Sequence, residues 1–124
     1  MTKSEEFQKL QEQLANETPA FVSCGVISAE DGLPLAGVVG DPNLDLSVPA
    51  GAFTEAFKSV VKAYEYSNWG QVTEMLFSGP DIITVMFSFK NGKYYQGISV
   101  KTTTTLGMVK VVFNKYKKRI EALL

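Results

Sequence analysis

At 124 residues, with 45% hydrophobic and 20% charged side chains, the chain has the composition of an ordinary globular protein and the length of one domain, 1–124. It contains no histidine, so the commonest general base and metal ligand is missing, and a lone cysteine, Cys24, excludes an intrachain disulfide framework. No apolar run approaches the roughly 18 residues of a membrane helix. The polar start, Met1 to Glu6, is unlike a signal peptide, which makes the cytoplasm the expected location.

The net charge of −1 hides a polarised distribution. Residues 1–89 hold twelve acids against four lysines, a balance of −8, whereas residues 90–124 hold seven lysines and Arg119 against Glu121, a balance of +7. The simplest expectation is an acidic element packed beside a basic one. A basic face for a membrane or an acidic protein is the sharper alternative. An acidic chain without a recognisable nucleic-acid motif gives no reason to expect nucleic acid as a partner.

In chain order, Thr2 with Glu5 three residues on is a capping-box pattern. Phe7, Leu10 and Leu14 follow at helical spacing, with Glu5, Glu6, Glu12 and Glu17 outside, and this first helix ends near Asn16 to Pro19. Phe21 to Ser28 is rich in strand formers. Glu30-Asp31-Gly32 supplies a turn, and Leu33 to Gly40 returns as a strand that Pro34, lacking an amide proton, assigns to a sheet edge. Asp41 to Pro49 is a loop. The second helix is expected from about Val48 to Trp69, stopped by Gly70, with Phe53, Ala56, Phe57, Val60, Val61 and Tyr64 on its buried side. Burial of its five large side chains would contribute roughly 7–15 kcal/mol before entropy. Its exposed side carries Glu55, Lys58, Ser59, Lys62 and Glu65.

Gln71 to Ser78 is the third strand, and Gly79-Pro80-Asp81 turns into a hairpin. Asn91-Gly92 suits the centre of a type I′ turn. Lys90 then opposes Lys93, and Phe89/Tyr94, Phe87/Gln96, Val85/Ile98 and Ile83/Val100 pair. One face is bulky, with Gln96 its only polar member, and the other holds Thr84, Met86, Ser88, Tyr95, Gly97 and Ser99. Thr105 caps a last helix whose apolar side runs from Leu106 to Leu123 and whose other side is basic. The order is helix, strand, strand, helix, strand, strand, strand, helix. Short strand connections make the sheet mainly antiparallel, and helices must cover both of its faces, giving an α+β, three-layer helix–sheet–helix sandwich.

Catalytic chemistry is sparse. Asp41-Pro42-Asn43-Leu44-Asp45 begins like a calcium loop, but Leu46 and Ala52 occupy the positions of its glycine and bidentate glutamate. No glycine spacing cradles a phosphate. Thr102 to Thr105 is better explained as helix capping than as a phosphate site. Ser23 and Cys24 have no histidine to activate them. Arg119, the one arginine, sits in the last turns of the final helix as a packing or surface-pairing residue. Neither catalytic residues nor a metal or cofactor is expected.

The ordered elements, together with Val26-Ile27-Ser28-Ala29-Glu30-Asp31-Gly32-Leu33-Pro34-Leu35-Ala36, Asn91-Gly92-Lys93-Tyr94-Tyr95-Gln96-Gly97-Ile98-Ser99-Val100-Lys101 and the closing helix, resemble the Roadblock (dynein light chain) family, including its MglB-type members. The resemblance implies a profilin-like sandwich with sheet order 2-1-5-4-3. It implies a homodimer in which the third strand, Gln71, Val72, Thr73, Glu74, Met75, Leu76 and Phe77, pairs with its twin and the second helices lie side by side. Family members are platforms or regulators for Ras-like small GTPases, and the MglB type stimulates GTP hydrolysis without an arginine finger. The face of Glu55, Lys58, Ser59, Lys62 and Glu65 is the expected GTPase contact. Glu74 near the two-fold axis would have to point outward or meet Lys58 or Lys62. Two other functions remain open at this stage: a small-molecule sensor with a pocket around Gly97, and an adaptor indifferent to nucleotide.

Overall fold

A computed structural model describes all residues, 1–124. Helix α1 (Lys3–Glu17) starts where the capping pattern puts it. Thr2 Oγ1 accepts the Glu5 N–H at 3.1 Å and donates to the Glu5 carboxylate at 2.9 Å. Strand β1 (Phe21–Ser28) turns through Gly32 into β2 (Pro34–Val39). Helix α2 (Ser47–Ser67) leads to β3 (Glu74–Ser78), β4 (Ile82–Phe89) and β5 (Tyr94–Lys101). Helix α3 (Leu106–Ala122) is capped by Thr105, whose Oγ1 accepts the Met108 N–H at 3.2 Å. The five strands form one antiparallel sheet, β2-β1-β5-β4-β3, which puts Pro34 on an edge strand.

The hairpin register is the expected one, with Phe89 opposite Tyr94, Phe87 opposite Gln96 and Val85 opposite Ile98. Asn91 and Gly92 both take positive φ, 60° and 82°, as a type I′ turn requires. The turn is wider than two residues, however. Lys90 is itself left-handed and Lys93 helical, so these two lysines do not pair as strand residues. Two boundaries also move. Asn68, in the left-handed region at φ 55°, ends α2 two residues before Gly70. Gln71 to Thr73 precede β3 rather than belonging to it.

The strand alternation sorts residues onto two unlike faces. Helices α1 and α3 share the bulky one, where Phe7, Leu14, Val26, Val85, Phe87, Phe89, Ile98, Phe113 and Ile120 form the main core. The Phe113 ring stacks on Phe87 at 4.0 Å between centroids. The acidic and basic helices do lie side by side, and Lys115 Nζ reaches Glu17 Oε1 at 3.3 Å. Both partners are solvated, so this pair contributes at most about 1 kcal/mol. Arg119 packs over the Tyr116 ring, 4.7 Å from its centroid.

The α2 face is sparser. Its smaller cluster is Ile27, Ala29, Ala50, Phe57, Met86 and Tyr95. Of the five large α2 side chains expected in the core, only Phe57 is fully buried; Phe53, Val60, Val61 and Tyr64 are half-buried. Tyr95 ties the helix down. Its hydroxyl lies 2.8 Å from Thr54 Oγ1 and donates to the Ala50 carbonyl at 3.2 Å, and its ring meets Phe57 at 5.0 Å. Burial pushes the Tyr95 phenol above its ordinary range.

Gln96, the polar intruder on the bulky face, has a partner that periodicity did not reveal. Gln11 of α1 is also completely buried. The two amides exchange hydrogen bonds, Gln11 Nε2 to Gln96 Oε1 at 2.8 Å and Gln96 Nε2 to Gln11 Oε1 at 2.9 Å. The Gln96 amide also reaches the Gly25 carbonyl at 3.1 Å, joining α1, β1 and β5. Gln96→Leu strands the Gln11 amide in the core and is expected to cost about 2–3 kcal/mol in urea unfolding. The double replacement Gln11→Leu/Gln96→Leu recovers most of that loss, because both buried polar groups are then gone.

Cys24 is buried on β1 beside the Gln11 carbonyl, 3.6 Å from its Sγ. Burial raises its thiol from 9.0 to about 12, with a backbone hydrogen bond at Val38 opposing the shift. The folded state therefore holds this proton longer than the unfolded chain. The thiol's contribution to stability is complete below pH 9.0 and is lost as pH rises through about 12, with a slope near 1.4 kcal/mol per unit. Cys24→Ala is expected to flatten the alkaline limb of stability measured by urea titration, and iodoacetamide to label Cys24 only at the rate of unfolding.

Candidate interaction surface

The two edges of the sheet are finished differently. On β2, the Gln8 side chain of α1 caps the outward backbone groups of Gly37. Its Nε2 donates to the Gly37 carbonyl at 2.9 Å, and its Oε1 accepts the Gly37 N–H at 3.3 Å. With Pro34 at the start of that strand, the β2 edge offers little to a further strand. Strand β3 pairs with β4 on one side and has no neighbour on the other. Leu76 is 49% exposed there, while Met75 and Phe77 are half-buried toward α2, with Phe77 meeting Phe53 at 5.4 Å.

The residues expected on this edge do not behave alike. Val72 is buried inside the protomer, so its side chain already packs within one chain. Gln71 and Thr73 are exposed but lie ahead of the strand, and the Thr73 carbonyl is already used by the Ser88 N–H at 2.9 Å. Glu74 turns to the α3 face and meets Lys110 at 2.7 Å, neither Lys58 nor Lys62. Glu74 to Phe77 remain as the open edge.

The polar side of α2 divides as well. At about 100° per residue, Glu55 and Ser59 project directly away from the sheet, whereas Lys58, Lys62 and Glu65 form a flank. Lys58 is half-buried near Ala29, Glu30 and Lys93; the other four are exposed. The opposite flank, on the side where Phe53 leans over Phe77, carries Ala52, Ala56, Val60 and Ala63. Ala52 and Ala63 are exposed and the other two half-buried. This stripe of small residues adjoins β3, the geometry that lets a second helix approach closely. Its spacing was legible in the sequence, but which way it faces depends on how α2 is rotated over the sheet.

Beneath the first turns of α2 lies an apolar cavity of about 230 Å³. Its floor contains Gly25 and Gly97, which are register partners on β1 and β5, and Leu44 and Leu46 of the preceding loop contribute to its walls. The acids of that loop are spent on turns. Asp41 Oδ1 accepts the Asn43 N–H at 2.9 Å, and Asp45 Oδ1 accepts both the N–H and hydroxyl of Ser47, at 3.0 and 2.7 Å. The Ser47 hydroxyl, then its N–H, hold the exposed Asp45 carboxyl below its usual range. No three His, Cys, Asp or Glu residues converge in a metal-binding group, and no helix is long and apolar enough to cross a membrane.

No protein-family model and no curated protein sequence matches the chain. Solved structures do. The Myxococcus xanthus MglB superposes with a TM-score of 0.85 over 100% of this chain and 94% of its own, at 12% identity. A Roadblock/LC7 domain from Streptomyces avermitilis gives 0.73 over 91% and 96%, also at 12% identity. Profilin II of Acanthamoeba castellanii shares the sandwich at 0.60, over 94% and 97%, at 15% identity. The likeness covers the length of the chain, and it is greater to MglB than to profilin. This chain therefore has the Roadblock/LC7 fold, in the form it takes in MglB.

Proposed function

We propose that this chain is a single-domain, non-enzymatic, homodimeric module of the Roadblock family that binds a Ras-like small GTPase in the cytoplasm and adjusts its GTP hydrolysis or its location. The observation that carries this reading is the whole-chain likeness to MglB, which agrees with the resemblance already legible in the ordered motifs. Dimerisation is supported by a bare β3 edge beside a protected β2 edge. Exposed edges with apolar side chains invite pairing, and an isologous two-fold contact closes both copies at once. The joint would use Glu74 to Phe77 together with the Ala52, Ala56, Val60 and Ala63 stripe, burying roughly 1,200–2,000 Å² or more.

Pairing through that stripe sets two copies of α2 side by side. Glu55 and Ser59 of both copies then lie on one continuous face, with Lys58, Lys62 and Glu65 along its two outer flanks, and together these are the contact we assign to the GTPase. Such a platform supplies no catalytic side chain of its own. Its effect on hydrolysis would come from repositioning groups of the GTPase.

Ala63 is exposed in the protomer, so Ala63→Glu is expected to fold normally yet to run as a monomer in light scattering, because two like charges would face each other across the stripe. A wild-type chain that is itself monomeric at micromolar concentration would refute the dimer. The exchange Lys62→Glu/Glu65→Lys is expected to keep the dimer and weaken GTPase binding about tenfold. The direct assay is capture of Ras-like GTPases from the same genome, each loaded with GDP or a non-hydrolysable GTP analogue. Absence of capture in both states removes the reading, and capture blind to nucleotide replaces it with a static adaptor.

A further inference from the structure

None of the residues lining the cavity beneath α2 belongs to the proposed dimer joint or GTPase contact. Its floor is a row of glycines that runs across three adjacent strands, Gly37 opposite Gly25 and Gly25 opposite Gly97. The two ends of this row differ. Side chains at Gly37 and Gly25 would run into Leu46, which fills that end. A Cβ at Gly97 would find its nearest neighbours at 3.8 and 3.9 Å, the Tyr95 ring and the Gly25 carbonyl. The backbone there is ordinary strand, so a larger residue would fit, and the volume stands open instead.

Chemically the space is uniform. None of its lining residues is charged. Most hydroxyls on its walls are engaged, Thr84 Oγ1 with Ser99 Oγ at 2.7 Å and Tyr95 with Thr54 and Ala50, which leaves the Ser23 hydroxyl and the second proton of the Thr84–Ser99 pair. A carboxylate or phosphate brought here would lose its water and find no cation, only one or two neutral hydroxyls in exchange. The volume of about 230 Å³ exceeds the roughly 150 Å³ of an engineered apolar cavity that takes benzene. Ile82, which lines the space and is 36% exposed, stands at its rim.

We propose that this cavity is a binding site for a compact, uncharged apolar molecule about the size of a bicyclic aromatic. Recognition rests on shape and on removal of apolar surface from water, and requires no charged contact. The proposal does not rest on the GTPase reading, since none of the lining residues belongs to the surface assigned to that contact.

The test is methyl-resolved NMR of the full chain titrated with indole, naphthalene and 1-naphthoate. The neutral probes are expected to shift the methyls of Ile27, Leu46 and Met86 saturably and to raise the melting temperature, while the carboxylate leaves them unmoved. Gly97→Leu fills the space and is expected to weaken naphthalene binding at least about tenfold with circular dichroism unchanged. Gly97→Ala, adding one methyl, gives a smaller loss in the same direction and keeps the test intact if the leucine variant folds poorly. The proposal is overturned if no neutral probe saturates, if binding survives undiminished in the Gly97 variants, or if 1-naphthoate binds equally well. It is also overturned if the cavity methyls respond to protein concentration and not to probe, which would make a side chain of a second copy the occupant.

Discussion

Strand β5 is paired on both sides, and its residues alternate between a crowded face and a sparse one. That single constraint organises the molecule. Tyr94, Gln96, Ile98 and Val100 point one way and must be matched by β1, β4, α1 and α3. Tyr95, Gly97 and Ser99 point the other way and leave α2 to be held largely by one aromatic. A one-residue slip of β5 would put a buried amide and two aliphatics under α2 and a glycine into the main core, so the register is defended from both faces at once.

The two faces have different consequences. On the crowded side, packing is complete enough that even two glutamines are enclosed, each satisfying the other. No buried side-chain polar atom lacks a partner. On the sparse side, small residues leave about 230 Å³ unfilled, and the apolar walls there forgo packing contacts. A chain of this size has only a modest margin of stability to give up, which makes the void a feature to be accounted for by what fills it. The sheet edges repeat this asymmetry: Gln8 and Pro34 blunt β2, whereas β3 ends the sheet with paired backbone on one side only.

Much of the fold was legible in the chain because its signals are local. The Thr2 and Thr105 caps, the alternation of Ile83 to Val100 about Asn91-Gly92 and the edge position of Pro34 each depend on residues a few positions apart, and each is found in the structure. What failed depended on distance. Gln11 falls at helical spacing on the apolar side of α1, but nothing local names Gln96 as the partner that satisfies it. Glu74 found Lys110 because an antiparallel strand turned it toward α3. Val72 looked like edge strand and proved to be core. The end of α2 moved because Asn68, of a residue type that tolerates the left-handed conformation better than most non-glycines, takes it ahead of the nearby glycine.

The sequence by itself determined the element order, the antiparallel hairpin, the caps and the absence of histidine chemistry, since these follow from spacing, side-chain type and backbone preference. Tertiary structure alone decided which α2 flank adjoins the open edge, which carboxylate finds which lysine, and that the glycine row is filled at one end by Leu46 and vacant at the other. Those outcomes depend on the rotation and height of a helix over the sheet. No local pattern encodes either one, because both are set by the summed volumes of side chains far apart in the chain.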